Sequence, residues 1–229
     1  MNPSPLAVVC DFDGTATVTD IGDEISRHFG GAAHWEEESA RFRRGELDTR
    51  GIIEAIYARV MASEAEVQDF AVQVAKLRPG LAELIAACRE RGAPFILASG
   101  GLRQYIEPVL AAQLPAELRA YVQVMANEGS CGPQGLRVAF PGEVQSRTAG
   151  CAVCGSCKRV AVAAVRRAGA AHVIGVGDGF ADRCLAQHVD QVFAREGSFL
   201  QRYCLEHKVA HEAFSTLDGA AAAVRAFPA

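Results

Sequence analysis

Short apolar runs that end in polar residues recur along this chain of 229 residues. Residues 6–10, 93–98 and 171–176 form three such runs, and each is followed at once by aspartate, serine or glycine. A fourth run covers residues 191–194. Continuous apolar runs of this length predict strands that are buried on both faces, as in a parallel sheet. This pattern limits the possible folds more than any other feature of the sequence.

Helical patterns separate the apolar runs. Leu81, Leu84, Ile85 and Cys88 make one apolar stripe, and a further helix is predicted over residues 158–168. Strands that alternate with helices predict βαβ units and an α/β fold with a doubly wound, mainly parallel, Rossmann-like sheet. Ligands of such sheets bind beyond the carboxyl ends of the strands. We therefore expect the polar residues that follow the runs to meet at one edge of the sheet.

Residues 16–75 have a different character from the rest of the chain. Apolar residues such as Ile21 and Ile25 recur there at helical spacing, and no apolar run of the strand type is present. The pattern predicts a small helical cap inserted after the first strand. The predicted domains are a core of residues 1–15 and 76–229 and a cap of residues 16–75.

Charge and hydropathy exclude several classes of partner. The formal net charge is −4, so the chain lacks the basic field that binding of nucleic acid or an anionic membrane surface requires. No apolar stretch is long enough for a membrane span or a signal sequence. We therefore expect a cytoplasmic protein whose partner is a small molecule.

The polar residues at the predicted strand ends form an ordered set. In chain order they are Asp11-Phe12-Asp13-Gly14-Thr15, Ser99-Gly100-Gly101, Lys158 and Gly177-Asp178-Gly179-Phe180-Ala181-Asp182. Taken singly, Ser99 could be a helix cap, Lys158 a solvated lysine and Asp182 an acid in the first turn of a helix. Taken together, the set resembles the four motifs of the haloacid dehalogenase superfamily of phosphatases. A helical insert directly after the first motif is similar to the cap of its phosphoserine-phosphatase-like branch.

The resemblance implies a chemical role for each carboxylate. Asp11 would be the nucleophile that forms an aspartyl-phosphate, which divides one difficult transfer into two steps. Asp13 would protonate the leaving oxygen and then take a proton from water. The implied cofactor is Mg²⁺, held by the Asp11 carboxylate, the Asp13 backbone carbonyl and the Asp178 carboxylate.

The resemblance also implies how the phosphate is held. Ser99, the backbone N–H of Gly100 and the ammonium group of Lys158 would bind its oxygens, since phosphoryl transfer requires neutralisation of negative charge. Asp182 would orient Lys158 or support the metal. Asp20 lies where caps of this branch begin, and it is a candidate contact to the substrate.

The substrate is predicted from weaker signals. The string Cys154-Gly155-Ser156-Cys157-Lys158 and residues 177–184 resemble the methionine-salvage branch, which hydrolyses an enol phosphate. Phosphatases acting on phosphocholine and pyridoxal phosphate share part of this pattern. The prediction is thus a Mg²⁺-dependent phosphatase of a small phosphorylated metabolite. A phosphotransferase, a phosphoserine phosphatase and a non-catalytic binding module are the alternatives.

Phosphoserine is expected to be a poor substrate. Phosphoserine phosphatases carry a cap arginine that binds the serine carboxylate, and an ungapped count from Gly45 sets Glu54 at its position. A glutamate there would repel the carboxylate, although Arg50 or Arg59 could take over the role.

Three of the eight cysteines, Cys151, Cys154 and Cys157, have C-x₂-C-x₂-C spacing, and Cys131 could lie near them. The spacing is compatible with a Zn²⁺ or redox site. The sequence favours the other interpretation, in which the cysteines are free thiols that pack a loop beside the active site.

Overall fold

The computed structural model of the protein describes residues 4–228. Seven strands form one sheet in the order β4-β3-β2-β1-β5-β6-β7. The strands are β1 (Leu6–Cys10), β2 (Phe95–Leu102), β3 (Val122–Gly132), β4 (Gly135–Ala139), β5 (His172–Gly177), β6 (Gln191–Arg195) and β7 (Glu212–Phe214). Every neighbouring pair is parallel except β3 and β4, which form an antiparallel hairpin. The predicted doubly wound α/β fold is confirmed.

Helices pack on both faces of this sheet and fill the segment after β1. They are α1 (Ile21–Ile25), α2 (Ala32–Arg43), α3 (Thr49–Tyr57), α4 (Glu64–Val74), α5 (Leu81–Glu90), α6 (Arg103–Gln113), α7 (Ala116–Arg119), α8 (Glu143–Thr148), α9 (Lys158–Arg167), α10 (Arg183–Ala186), α11 (Phe199–Glu206) and α12 (Asp218–Ala226). Short helical turns cover Phe12–Ala16, Ser26–Gly31 and Phe180–Asp182.

Strand β1 lies at the centre of the fold, and all five of its residues are buried. Leu6, Val8 and Cys10 pack into the larger apolar cluster on one face of the sheet, whereas Ala7 and Val9 pack into a second cluster on the other face. Because side chains alternate along a strand, burial on both faces requires the continuous apolar run seen in the sequence. This burial fixes the position of the loop that follows Cys10.

The segment between β1 and α5 is helical, and residues 21–74 contain no strand. Its apolar residues Ile21, Ile25, Ile56 and Tyr57 are buried in the same cluster as the core face of β1. The helical insert therefore packs directly onto the α/β core, over the carboxyl end of β1. Its boundaries as a separate cap domain stay a prediction.

No helix within residues 4–228 combines the length and the apolar character needed to cross a membrane.

Candidate active site

The loop after β1 turns sharply at Gly14, between the two aspartates of the first motif and the helical insert. Gly14 has φ +73°, a conformation that favours glycine. A Cβ atom at this position would lie 2.7 Å from Asp178 Oδ2. The glycine therefore allows the loop to approach the end of β5, where Asp178 lies.

Arg78 stabilises this loop through hydrogen bonds to its backbone. Its buried guanidinium donates hydrogen bonds to the carbonyl oxygens of Gly14 at 2.7 Å, Thr15 at 2.6 Å and Thr17 at 3.1 Å. A planar guanidinium satisfies several backbone acceptors at once, which few other side chains can do. Arg78 thus fixes the backbone that carries Asp13, although it lies outside the sequence motifs.

Lys158 links Asp11 to Asp182 inside the protein. Its Nζ lies 2.6 Å from Asp11 Oδ1 and also donates to Asp182 Oδ1, and all three side chains are buried. Asp182 Oδ2 accepts the backbone N–H groups of Asp178 at 2.9 Å and Gly179 at 2.8 Å. Both oxygens of Asp182 are therefore engaged, which fixes the ammonium group against Asp11.

Burial and neighbouring charges have opposite effects on the pKa values of Lys158 and Asp11. Burial lowers the pKa of Lys158, but the carboxylates of Asp11 and Asp182 outweigh it, so that the pKa lies above its ordinary value. Burial raises the pKa of Asp11, and the ammonium group of Lys158 partly offsets this effect. Lys158 is therefore a permanent cation beside Asp11.

Asp13 lies in a separate set of hydrogen bonds. Its Oδ1 accepts the backbone N–H of Ile21 at 2.9 Å, and its Oδ2 accepts the hydroxyl of Tyr105 at 2.7 Å. Burial raises the pKa of Asp13 to about 6, against the lowering effect of these hydrogen bonds. A carboxyl group with this pKa can both give and take a proton near neutral pH.

Asp178 lies opposite Asp11 at the end of β5. Its Oδ1 accepts the Thr15 hydroxyl at 2.7 Å, and its Oδ2 accepts Arg195 Nη2 at 2.9 Å. Carboxylate oxygens of Asp11, Asp178 and Asp182 lie within 4.8 Å of one another. Such a group of hard oxygen donors suits a divalent cation such as Mg²⁺.

Ser99 and Gly100 lie at the carboxyl-terminal part of β2, next to β1. The Ser99 hydroxyl accepts the backbone N–H of Gly101 at 2.9 Å, and the Gly100 carbonyl accepts Asn127 Nδ2 at 2.7 Å. Asn127 in turn accepts the Ser156 hydroxyl at 2.6 Å. These bonds fix the turn whose backbone and hydroxyl face the carboxylates.

The motif residues surround one cavity of about 230 Å³ between the sheet edge and the helical insert. Its polar lining includes Asp23 and all the predicted site residues: Asp11, Asp13, Asp20, Ser99, Gly100, Lys158, Asp178 and Asp182. Its apolar lining comes from Ile52, Ile53 and Ile56 of α3 and from Phe180. The candidate catalytic, phosphate-binding and metal-binding residues thus line one cavity.

Asp20 has a structural role beside its place in this cavity. Its Oδ1 accepts the backbone N–H of Asp23 at 2.8 Å and caps the first turn of α1. Its side chain nevertheless lies at the exposed edge of the cavity, where a substrate could contact it.

Two expectations about side chains outside the motifs are corrected. Glu54 is exposed and does not line the cavity. Its carboxylate forms an ion pair with Arg50 at 3.1 Å. Arg50 is also paired with Glu143 at 2.7 Å.

Cys131 lies on β3 against the larger apolar cluster, whereas Cys184 is the cysteine that packs against Cys151, Cys154 and Cys157.

Three residues around the aspartates were not predicted from the sequence: Arg78, Tyr105 and Arg195. Tyr105 and Arg195 donate hydrogen bonds to aspartate side chains, whereas Arg78 binds the backbone of the first-motif loop. Tyr105 lies in the first turn of α6, which begins shortly after Ser99-Gly100-Gly101. Arg195 ends β6, so its position at a strand end was a usable signal. Arg78 follows the helical insert, and no sequence pattern predicts its role. Only the fold brings it into contact with the backbone of the first motif.

Comparison with known proteins identifies the family. The family model of haloacid dehalogenase-like hydrolases matches residues 8–187. The chain belongs to this family. The matched segment begins within β1 and ends just after α10, so it contains all four motifs.

Two curated relatives match over nearly the whole chain, and both are named 2-hydroxy-3-keto-5-methylthiopentenyl-1-phosphate phosphatase. The protein of Brevibacillus brevis is 30% identical over 213 residues, covering 92% of this chain and 91% of the relative. The protein of Geobacillus thermodenitrificans is 28% identical over 216 residues, with coverage of 92% and 91%. The prediction of a phosphatase of this superfamily is confirmed.

A solved structure described as the phospho-aspartyl intermediate analogue of phosphoserine phosphatase has the same fold. It superposes with a TM-score of 0.68 at 17% identity and covers 93% of this chain and 94% of that chain.

Proposed function

We propose that the protein hydrolyses the phosphate monoester of a small metabolite through an aspartyl-phosphate on Asp11. One observation carries this proposal: Asp11, Asp13, Ser99, Lys158 and Asp178 line a single cavity at the carboxyl edge of the sheet. A nucleophile, a proton donor and a cation are thus within reach of one phosphate group.

In the first step the Asp11 carboxylate attacks phosphorus while the bond from phosphorus to the leaving oxygen breaks. Asp13, whose pKa is about 6, gives its proton to that oxygen. In the second step the Asp13 carboxylate takes a proton from water as the water oxygen attacks the aspartyl-phosphate. Phosphate leaves, and both aspartates return to their starting state.

Lys158, Ser99 and Gly100 hold the phosphoryl oxygens in this scheme. The ammonium group of Lys158 contributes a fixed positive charge, because Asp11 and Asp182 keep it protonated. Ser99 accepts a hydrogen bond from Gly101, and its hydroxyl can still donate its own proton to phosphate. Such preorganised donors stabilise charge that develops in the transition state.

The donor set fits Mg²⁺. The Asp11 and Asp178 carboxylates and the Asp13 backbone carbonyl would hold the ion, whereas Asp182 is occupied by Lys158 and two backbone N–H groups. When bound, Mg²⁺ supplies positive charge to the oxygens of the transferring phosphoryl group. Thr15 and Arg195 fix the orientation of the Asp178 carboxylate toward this position.

The cavity favours a substrate with an apolar or uncharged tail. Ile52, Ile53 and Ile56 line the side that faces Ser99 and Gly100, and an added Cβ on Gly100 would lie 3.5 Å from Ile53 Cδ1. Phe180 packs against Phe42 of α2 and Phe199 of α11, which extends the apolar rim. The methylthio enol phosphate of the curated relatives has this character, and we propose it as the substrate.

Phosphate release with Mg²⁺ is the direct test. The purified protein is assayed with 2-hydroxy-3-keto-5-methylthiopentenyl 1-phosphate, phosphocholine, pyridoxal phosphate and phosphoserine. The highest kcat/KM is expected for the enol phosphate. A higher value for another ester would overturn the substrate assignment, and transfer of phosphate to an added alcohol in preference to water would identify a phosphotransferase.

A further inference from the structure

Four cysteines gather in one place behind the proposed catalytic lysine. Cys151, Cys154 and Cys157 are buried in the loop between α8 and α9, and their sulfur atoms all lie within 4.8 Å of one another. Cys184, from α10, packs against the same three side chains. Two separate segments of the chain thus contribute to one sulfur cluster.

The four cysteines differ in burial: Cys151, Cys154 and Cys157 are buried, whereas Cys184 is half-buried at the side of the cluster. No disulfide joins any cysteine of the described chain. Four adjacent thiol groups, three of them buried, give each other only weak hydrogen bonds, so packing alone is a poor explanation for their convergence.

We propose that Cys151, Cys154, Cys157 and Cys184 bind a structural Zn²⁺ ion. Zn²⁺ in structural sites is held by four ligands in a tetrahedron, and four thiolates are one of the usual sets. With Zn–S bonds of about 2.3 Å, sulfur atoms in such a site lie roughly 3.8 Å apart. The three loop sulfurs lie within 4.8 Å of one another, and Cys184 packs beside them at the place of a fourth ligand.

The surroundings suit the negative charge that four thiolates retain around Zn²⁺. Arg159 Nη2 donates to the Cys184 sulfur at 3.6 Å, and its Nη1 donates to the Ala149 carbonyl at 3.1 Å. Hydrogen bonds from nearby groups to metal-bound sulfur are a regular part of such sites.

The loop that carries three of the ligands is fixed by Ser146, a buried residue of α8. The Ser146 carbonyl accepts the backbone N–H of Cys151, and its hydroxyl accepts the backbone N–H of Cys157, both at 2.8 Å. The carbonyl of Val153 accepts the backbone N–H of Arg50 at 3.1 Å, which connects the loop to α3.

The proposed site would bridge the two segments that position the catalytic cation. Cys157 directly precedes Lys158, and Cys184 lies two residues after Asp182. Zn²⁺ would therefore join the start of α9 to α10 and would stabilise the contact between Lys158 and Asp182. The ion would be structural, because all four ligands come from the protein and no position is left for substrate.

Metal content is the first measurement. The full-length protein, expressed in zinc-supplemented medium and purified without chelators, should contain about one zinc per chain by elemental analysis. Cys154→Ser and Cys184→Ser should lose most of the zinc. The control variants Cys88→Ser and Cys204→Ser change cysteines outside the cluster and should retain it.

Cobalt gives a readout that does not depend on the variants folding. Replacement of zinc by Co²⁺ in the wild-type protein should produce the sulfur-to-cobalt charge-transfer bands and strong visible bands of a tetrahedral thiolate site. Removal of the metal should lower the melting temperature, which zinc should restore. Absence of zinc with four reactive thiols, a disulfide within the cluster by mass spectrometry, or full zinc content in Cys184→Ser would each overturn the proposal.

Discussion

Tyr105 donates its hydroxyl proton to Asp13 Oδ2 across 2.7 Å, and this contact tunes the group that we propose as the general acid. Burial raises the pKa of Asp13 to about 6, and the Tyr105 hydrogen bond limits the rise because it stabilises the carboxylate. Removal of the hydroxyl should therefore raise the pKa further.

The variant Tyr105→Phe tests this relationship while preserving the packing of the ring. A general acid must be protonated, so kcat for a substrate with a poor leaving group should fall as the pH rises through the pKa of Asp13. In Tyr105→Phe this fall should move to higher pH. The pH profile of kcat for an alkyl phosphate is the measurement.

p-Nitrophenyl phosphate is the control substrate, because its leaving group needs little protonation and its rate should fall less on the alkaline side. An unchanged alkaline limb for the alkyl phosphate in Tyr105→Phe would contradict the role of Asp13 as the acid.

The nucleophile is tested by Asp11→Asn. An amide cannot form an acyl phosphate, so kcat should fall by about 10³-fold or more. The matched control Asp69→Asn changes an exposed aspartate of α4 and should leave kcat unchanged. Circular dichroism should show native folding in both variants. Near-normal turnover in folded Asp11→Asn would eliminate the aspartyl-phosphate mechanism.

Lys158 should be essential for stability as well as for activity. Lys158→Met leaves two carboxylates buried without their partner, which typically costs about 3–5 kcal/mol of unfolding free energy. Urea denaturation at pH 7 measures this loss, and exposed Lys208→Met is the control.

The deficit of Lys158→Met should shrink as the pH falls from 7 toward about 4. Burial raises the pKa of Asp11, and in the variant no ammonium group opposes this effect. The native state then binds a proton that the unfolded state does not, so stability rises as the pH falls. A deficit that is independent of pH would show that Asp11 is not the group left unpaired.

Metal removal gives a separate test of the carboxylate cluster. A short EDTA treatment should abolish phosphate release and Mg²⁺ alone should restore it, whereas Ca²⁺ should inhibit because its looser coordination suits the transfer less well. In Asp178→Asn the Mg²⁺ concentration for half-maximal activity should rise by at least about 10-fold. Full activity without metal would contradict the proposed site, and zinc content measured alongside separates this ion from the cysteine cluster.

The ends of β1, β2 and β5 could be predicted from the sequence, because these strands are buried on both faces and must therefore be continuously apolar. Strand β7 has only three residues at the edge of the sheet and gave no pattern. The contacts of Arg78, Arg195 and Cys184 join segments far apart in the chain. They depend on the order of strands in the sheet, which local patterns do not encode.

The helical insert shows the same limit at the level of single side chains. The ungapped count placed Glu54 where phosphoserine phosphatases have a carboxylate-binding arginine. In the structure, Ile53 and Ile56 of α3 line the cavity and Glu54 is exposed. Neighbouring residues on a helix point in directions about 100° apart, since a turn holds 3.6 residues, and a shift of one position decides which of them meets the substrate.

Substrate choice follows from this lining. Phosphoserine would bring its carboxylate into a cavity that contains Asp13, Asp20 and Asp23, and no arginine is among the described residues that line it. Phosphoserine should therefore have a much lower kcat/KM than the enol phosphate. Ile53→Arg should raise the value for phosphoserine relative to the enol phosphate, because a guanidinium beside Gly100 could pair with the carboxylate. Glu54→Arg is the matched control and should change the ratio little. An equal gain from both variants would show that bulk charge, and not the lining of the cavity, sets the preference.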